Sequence, residues 1–309
     1  MRVLYTCLTA LVFGFLASRP APALEASAYG LTLWFHTLVP TLLPFLILSG
    51  FCIQSGMLSS LSRLAKRLPG PFKKLSWGGL FALTAGMLCG FPTGAKILGD
   101  LRRNGKISAR EGQCLLSFCN NASPGFVLTF LIHQNLGMDS QAPILLGIIY
   151  GLPLLYGCLS VSLLPPGPKV PETEKASSSQ ITFGLLDACI YDAAITLIKL
   201  GGYIILFSIL AKILECLPFL SRETLCLLTG ILELTGGIDR TADTLTAPLL
   251  LPAIISMVIF GGLCTLAQTA SVLKGSGLSI KKYIVSRLAL AVCGGLTVFL
   301  LQILGILQP

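Results

Sequence analysis

Apolar stretches long enough to cross a lipid bilayer recur along the whole of this chain. A membrane helix needs about 20 apolar residues to cross roughly 30 Å of hydrocarbon. Only helices and closed barrels satisfy every backbone polar group in that environment. Charged residues make up 11% of the 309 positions, and the mean hydropathy is +0.83. A water-soluble fold could not bury so large a share of apolar residues. The sequence therefore predicts an all-α polytopic membrane protein with no sizeable soluble domain.

Composition also argues against several classes of function. The eleven cysteines are scattered singly without a Cys-x-x-Cys pair, so we interpret them as small membrane-helix residues and expect no metal site. The net charge of +9 comes from basic residues beside membrane segments, where they set orientation and meet lipid headgroups, so nucleic-acid binding is unsupported. No phosphate-binding loop, nucleophile elbow or His-Glu-x-x-His motif is present, and we expect neither an enzyme nor a cofactor.

Proline, glycine and charge divide the first part of the chain into segments. Residues 1–23 are interpreted as an uncleaved N-terminal helix because another hydrophobic segment follows almost at once, although a signal peptide has a similar pattern. A first repeat is predicted over 29–164. It contains a helix kinked or broken by Pro40 and Pro44, a re-entrant hairpin, a broken helix and a final span. In chain order these cover 29–54, 77–98, 113–132 and 142–164.

The second part repeats this plan at an offset of about 140 residues. A Pro/Ser-rich cytoplasmic linker over 165–180 separates it from the first, and the second repeat is predicted over 181–309. Its span, hairpin, broken helix and last span cover 193–214, 225–237, 248–273 and 284–307. Asp187 and Asp192 precede the first of these and are interpreted as exposed carboxylates of an interfacial helix.

The distribution of basic residues predicts how the two repeats are oriented. If the loop with Arg63, Lys66 and Arg67 is cytoplasmic, most of the 22 Lys and Arg residues fall in cytoplasmic segments, Arg287 among them. The first hairpin then enters the membrane from the cytoplasm and the second from the opposite face. Such an arrangement is an inverted-topology repeat.

Each hairpin and each broken helix contains helix-breaking residues near its middle. These interruptions survive in a membrane only where protein or trapped water satisfies the freed backbone groups. The predicted backbone breaks are Gly90, Pro92, Gly94, Pro124, Gly236, Gly237, Gly261 and Gly262.

Polar residues next to these breaks are the candidates for solute binding, because each costs several kcal/mol in hydrocarbon unless it is paired. Lys96 follows the first hairpin break, where its ammonium and the free N–H groups of the returning helix could receive an anion. A lysine that snorkels toward the cytoplasm is the alternative. The candidate solute-binding residues are Thr93, Lys96, Asn120, Asn121, Ser123, Glu233, Thr235, Gln268 and Thr269.

The remaining candidates have two interpretations each. Asn120 and Asn121 offer uncharged donors and acceptors to a polar solute, or they hydrogen-bond neighbouring helices together. Glu233 at the second hairpin tip could carry a proton or neutralise Lys96. Gln268 would face the first-half amides if the repeats pack face to face, or it would join helices.

Four sequence blocks resemble one known family. The blocks LCGFPTGAK at 88–96 and LLSFCNNASP at 115–124 are similar to those of YlbJ-type sporulation integral membrane proteins. GILELTGG at 230–237 and the segment 260–271 resemble later motifs of the same family more weakly. That family belongs to the nucleoside-recognition or Gate domain group, which is related to concentrative nucleoside transporters.

The resemblance implies transport of dipicolinic acid, a pyridine dicarboxylate, from the mother cell across the outer forespore membrane during sporulation. A dianion suits Lys96, half-helix N-termini and neutral amides better than a nucleoside does. Two alternatives remain open: a non-transporting membrane assembly factor in spore maturation, and a nucleoside carrier. The expected partners are a small-molecule solute and the lipid bilayer.

Overall fold

A computed structural model describes residues 2–55, 57, 70–164 and 183–307. Among these residues the regular structure is entirely helical. Five helical stretches are long and apolar enough to cross a membrane: Pro20–Gln54, Asp139–Ser162, Phe183–Glu215, Leu250–Val272 and Ile280–Ile303. The all-α polytopic fold is therefore confirmed. The predicted linker over 165–180 and the loop with Arg63, Lys66 and Arg67 lie outside the described residues.

The first half contains a long helix, a helical hairpin, an interrupted helix and a further span. Helix α1 covers Arg2–Ser18, α2 covers Pro20–Leu33 and α3 covers Val39–Gln54. The hairpin is α4 (Trp77–Cys89) with α5 (Thr93–Arg103). The interrupted helix is α6 (Ala109–Cys119) followed by a π-helix (Phe126–Leu136), and α7 covers Ala142–Ser162.

The second half has the same order of elements. The long helix α8 covers Phe183–Glu215, and the hairpin is α9 (Arg222–Leu232) with α10 (Leu234–Thr244). The interrupted helix is α11 (Leu250–Phe260) with α12 (Gly262–Val272), and the chain's last long helix is α13 (Ile280–Ile303). The inverted orientation of the two halves in the membrane stays a prediction.

Two predicted segments differ from the structure. The helix predicted to be kinked or broken by Pro40 and Pro44 is not broken, because a π-helical turn over Trp34–Leu38 joins α2 to α3 and the helix continues through both prolines. Helical backbone runs from the π-turn directly into α3, so Pro40 and Pro44, which cannot donate a backbone hydrogen bond, lie within a continuous helix. Helix α8 begins ten residues before the predicted span, so Asp187 and Asp192 belong to one continuous helix and not to a separate interfacial one.

Packing in two apolar clusters positions the interruptions. One cluster joins the π-helix, α7, α11 and α13, and the other joins the first hairpin to α6, α12 and α13. Helix α8 packs against α2 and α3 and also against α9 and α12. Helix α13 therefore contributes to both clusters and runs close to the interruptions of the two broken helices.

Candidate functional site

The tip of the first hairpin contacts both broken helices. Gly90 has φ +82°, and a Cβ there would lie 2.7 Å from the backbone nitrogen of Ser123 in the first break. Gly261 has φ +86°, and a Cβ there would lie 2.9 Å from the ring of Phe91. Only glycine combines this backbone conformation with such close approach. A Cβ on Gly262 would reach the last carbonyl oxygens of α9 at 3.3–3.5 Å, so the second hairpin joins the same region.

Three of the glycines predicted as breaks lie in the first turns of helices instead. Gly94 is in the first turn of α5, and Gly236 and Gly237 are in the first turn of α10. A Cβ on Gly237 would overlap the Cα of Gly230, so this glycine lets the two arms of the second hairpin approach each other. Pro124 begins the helical part that follows the first break, where its missing N–H needs no partner.

Asn120 connects four elements at the first break. Its Oδ1 accepts a hydrogen bond from the backbone nitrogen of Ala95 in α5 at 3.3 Å. Its Nδ2 donates to Thr269 Oγ1 of α12 at 3.2 Å and to Tyr283 OH of α13 at 2.9 Å. The side chain is fully buried. Asn120 thus holds the first hairpin, the second broken helix and α13 around the end of α6.

The structure places a buried arginine at the same point. Arg287 of α13 is 1% exposed, and its Nη1 donates to Asn121 Oδ1 at 2.7 Å. Its Nη2 donates to the carbonyl oxygen of Ile259 near the end of α11. The guanidinium carbon lies 5.4 Å from the centroid of the Phe91 ring, a cation–π distance. Arg287 therefore reaches both breaks and the first hairpin tip.

Arg287, counted from the sequence among the charges of cytoplasmic segments, is buried inside α13 and does not face solvent. The buried stripe of α13 recurs every three or four residues and includes Tyr283, Arg287, Leu290 and Gly294. That spacing is visible in the sequence and could have identified a buried position. Counting basic residues near span ends treats each as solvent-facing and ignores which helix face it occupies.

The charge of Arg287 has no counter-charge in the part of the chain that the structure describes. Its neighbours are the Asn121 amide, the Ile259 carbonyl and the rings of Phe91 and Tyr283, all neutral. Its Nε has no hydrogen-bond partner among the described residues. The buried hydroxyl of Thr93, at the start of α5, is also without one. Unpaired buried charges and donors are costly and often mark sites of function.

Lys96 is neutralised by two carboxylates. Its Nζ lies 2.8 Å from Asp100 Oδ2 on its own helix and 2.6 Å from Asp192 Oδ2 on α8. Arg103 also pairs with Asp100 at 2.6 Å. Neither sequence interpretation of Lys96, a free anion receptor or a snorkelling lysine, includes the partner on α8. The ammonium instead ties the first hairpin to α8.

Glu233 caps a helix and does not pair with Lys96. Its two carboxylate oxygens accept hydrogen bonds from the backbone nitrogens of Thr235 at 2.9 Å and Gly236 at 2.7 Å. Both Glu233 and Thr235 are buried. The carboxylate therefore stabilises the start of α10, where helix N–H groups lack other partners.

The remaining candidates have local roles. Gln268 Nε2 donates to Cys264 Sγ one turn earlier in α12 at 3.3 Å, so Thr269 and not Gln268 meets the first-half amides. Ser123 Oγ accepts from the backbone nitrogen of Phe126 at 3.2 Å and caps the π-helix. The structure thus brings Asn120, Asn121 and Thr269 together with Arg287, while Lys96 and Gln268 take part in other contacts.

Comparisons with known proteins agree with the sequence motifs. The chain is 29% identical to "Sporulation integral membrane protein YlbJ" of Bacillus subtilis (strain 168), over 92% of this chain and 78% of the relative. No family model matches the chain, and no solved structure matches it. The predicted relation to Gate domain proteins and nucleoside transporters is not confirmed by these comparisons. Together with the five apolar helices, the similarity supports the assignment of this chain as a YlbJ-type, multi-pass integral membrane protein.

Proposed function

We propose that this chain transports a small organic anion across the membrane, with the two breaks and Arg287 forming the solute site. The observation behind the proposal is the uncompensated guanidinium of Arg287. A buried cation needs an anion or strong acceptors to offset lost hydration. A solute carboxylate supplies that counter-charge.

The chemistry of the site favours a carboxylate over a neutral nucleoside. A guanidinium presents a planar fork of donors that matches carboxylate oxygens. The unpartnered Nε of Arg287 and the unpartnered hydroxyl of Thr93 are donors that an anion could use. The Phe91 ring, against the guanidinium, offers an aromatic face. Dipicolinic acid, the solute implied by the sequence resemblance, has two carboxylates on an aromatic ring.

Binding requires the site to open. Four polar residues at the site are at most 1% exposed: Thr93, Asn120, Asn121 and Thr269. The two asparagine amides also form hydrogen bonds with neighbouring elements. A solute that takes the Nη1 donor of Arg287 would release Asn121. Because Asn121 follows the end of α6, that exchange would free the first break to move against α13. Relative movement of repeats around a central site is the general mechanism of such carriers.

Uptake into proteoliposomes tests the proposal. Purified wild-type protein should accumulate radiolabelled dipicolinate saturably, and Arg287→Gln should not. Lys282→Gln removes a positive charge from an exposed position on the same helix and should leave uptake unchanged. Correct folding of each variant is checked by size-exclusion chromatography in detergent.

Competition distinguishes the alternatives. Inhibition of uptake by aromatic dicarboxylates and not by nucleosides supports the anion site. Inhibition by nucleosides and not by aromatic dicarboxylates favours a nucleoside carrier. A wild-type protein that is folded in the vesicles and accumulates neither class refutes transport and favours the assembly factor.

A further inference from the structure

The returning arm of the first hairpin and the second part of the second broken helix lead away from the solute site together. Helix α5 starts at Thr93 in the hairpin tip, and α12 starts at Gly262 in the second break. The two helices contact each other, and their far ends meet where Arg103 reaches Val272. We propose that Arg103 is a latch that closes this seam between α5 and α12, and that opening the seam exposes the site of Arg287 to the predicted cytoplasmic side. The purpose of that opening rests on the proposed transport function, whereas the latch can be tested without a solute.

The inner end of the seam is held by the amide of Asn120. Its Oδ1 accepts a hydrogen bond from the backbone nitrogen of Ala95 on α5, and its Nδ2 donates to Thr269 Oγ1 on α12. Apolar residues of both helices also belong to one buried cluster: Leu98, Leu101, Leu266 and Leu273. The seam is therefore closed to a solute in this structure.

The outer end of the seam is held by Arg103. Its Nη1 donates to the carbonyl oxygens of Val272 at 3.1 Å and Lys274 at 2.8 Å. These carbonyls lie at the C-terminal end of α12, where backbone oxygens lack partners within the helix and favour a positive charge. Basic residues near the end of a helix often cap its own carbonyls. Arg103 instead belongs to α5, so its hydrogen bonds join two helices.

Two neighbours on α5 hold Arg103 in place. Asp100 Oδ1 accepts from Arg103 Nη2 at 2.6 Å, which fixes the guanidinium beside α12. A Cβ on Gly99 would lie 3.0 Å from the Val272 carbonyl oxygen and 3.1 Å from Arg103 Nη2, so glycine lets α5 approach the end of α12. The side chains of Arg103 and Asp100 are 31% and 20% exposed. Water therefore competes for these hydrogen bonds, and the latch can open at a modest cost.

The second half has the same pairing of elements. The returning arm of the second hairpin, α10, contacts the π-helix, which is the second part of the first broken helix. Each hairpin therefore packs its returning arm against the broken helix of the other half. In a carrier built from two repeats, alternate formation and loss of such corresponding contacts opens one side at a time. The Arg103 latch closes one of these two seams.

Alkylation of native cysteines in the purified full-length protein tests the latch. Cys119 is fully buried and directly precedes Asn120 at the inner end of the seam, whereas Cys226, 1% exposed, lies in the second hairpin outside it. Iodoacetamide is applied in detergent without any organic solute, and peptide mass spectrometry gives the labelling rate of each cysteine. Arg103→Ala should speed the labelling of Cys119 about tenfold, because hydrogen bonds from a charged donor are lost, and should leave Cys226 unchanged. Lys106→Ala removes an exposed positive charge from the same region of the chain and should label as the wild type does.

Gly99→Ala tests the latch without removing a charge. The new methyl group should push Arg103 and the Val272 carbonyl apart and should speed the labelling of Cys119 by a smaller factor. Equal acceleration of Cys119 and Cys226 in Arg103→Ala would indicate a general loosening of the fold and would overturn the inference. Unchanged labelling of Cys119 in a folded Arg103→Ala protein would overturn it as well.

Dipicolinate uptake by the wild-type protein separates the two proposals. Uptake that depends on Arg287, together with a Cys119 that stays protected in Arg103→Ala, refutes only the latch. Faster labelling of Cys119 in Arg103→Ala without any dipicolinate uptake by the wild type supports the latch and refutes only the proposed solute.

Discussion

Arg287 donates a 2.7 Å hydrogen bond from Nη1 to Oδ1 of Asn121, a residue 166 positions earlier in the chain. This bond joins the last long helix to the first break, and the same guanidinium also contacts the Phe91 ring and the Ile259 carbonyl. The buried cation therefore sits where the first hairpin and both broken helices meet. Movement of any of these elements changes its surroundings.

Asn120→Leu should lower the free energy of unfolding by about 1–3 kcal/mol, because it leaves the buried donors and acceptors around the amide unpaired. The effect can be measured by denaturant titration in mixed micelles. Asn104→Leu is the matched control, since Asn104 is exposed and its amide bonds only within its own helix. Equal losses in the two variants would contradict the structural role of Asn120.

Gly237→Ala should destabilise the protein by about 1–3 kcal/mol because the new methyl group would overlap the backbone of Gly230. Gly202→Ala is a control in a helix interior where a Cβ meets nothing within 4 Å. That substitution should stabilise α8 by about 0.5–1 kcal/mol. Thermal unfolding of the two variants should therefore shift in opposite directions, and a stabilised Gly237→Ala protein would show that the hairpin arms are not so close.

Gly261→Ala combines two costs, a backbone with φ +86° and a contact with the Phe91 ring. Gly275→Ala isolates the first, since Gly275 has φ +77° and a Cβ there meets nothing within 4 Å. The backbone penalty is about 1–2 kcal/mol in each variant. Gly261→Ala should lose more than Gly275→Ala in an unfolding titration. Equal losses would mean that the first hairpin tip does not press on the second break.

Lys96 and Asp192 should show a measurable coupling energy in a double-mutant cycle. Because the Asp192 side chain is 55% exposed, water screens the pair, and we expect about 0.5–1 kcal/mol. A second cycle with Lys96 and Asp187, another carboxylate on α8, should give no coupling beyond error. A coupling that is the same in both cycles would indicate a general field and not the 2.6 Å ion pair.

The sequence predicts the order of elements well because the interruptions have local signals. Gly90 and Gly261 occupy backbone conformations that favour glycine, and the proline of the first hairpin and that of the first broken helix lie at or beside an interruption. Apolar length then defines the spans between these points. The sequence does not predict the first ten residues of α8 as part of the span, because they contain two aspartates. Without knowledge of helix contacts, such charged residues are interpreted as lying at the membrane surface.

Residue partners are harder to predict, since they depend on contacts between distant segments. Lys96 pairs with Asp192, 96 positions away, and no local pattern connects them. Glu233 lies at a hairpin tip as predicted, but its carboxylate is used by the backbone immediately after it. Arg287 is buried because it lies on the face of α13 that packs against the other helices. The spacing of the buried residues of α13 indicates that face, whereas counting charges near the ends of a span does not.

Binding of dipicolinate to the purified protein, measured by isothermal titration calorimetry, tests the central claim most directly. The wild type and the exposed-charge control Lys282→Gln should bind with the same affinity. Arg287→Lys keeps the charge but loses the planar fork, and loss of its charge-assisted hydrogen bonds should weaken binding about 10- to 100-fold. Wild-type affinity in a folded Arg287→Lys protein, or no binding by the folded wild type, would contradict the account.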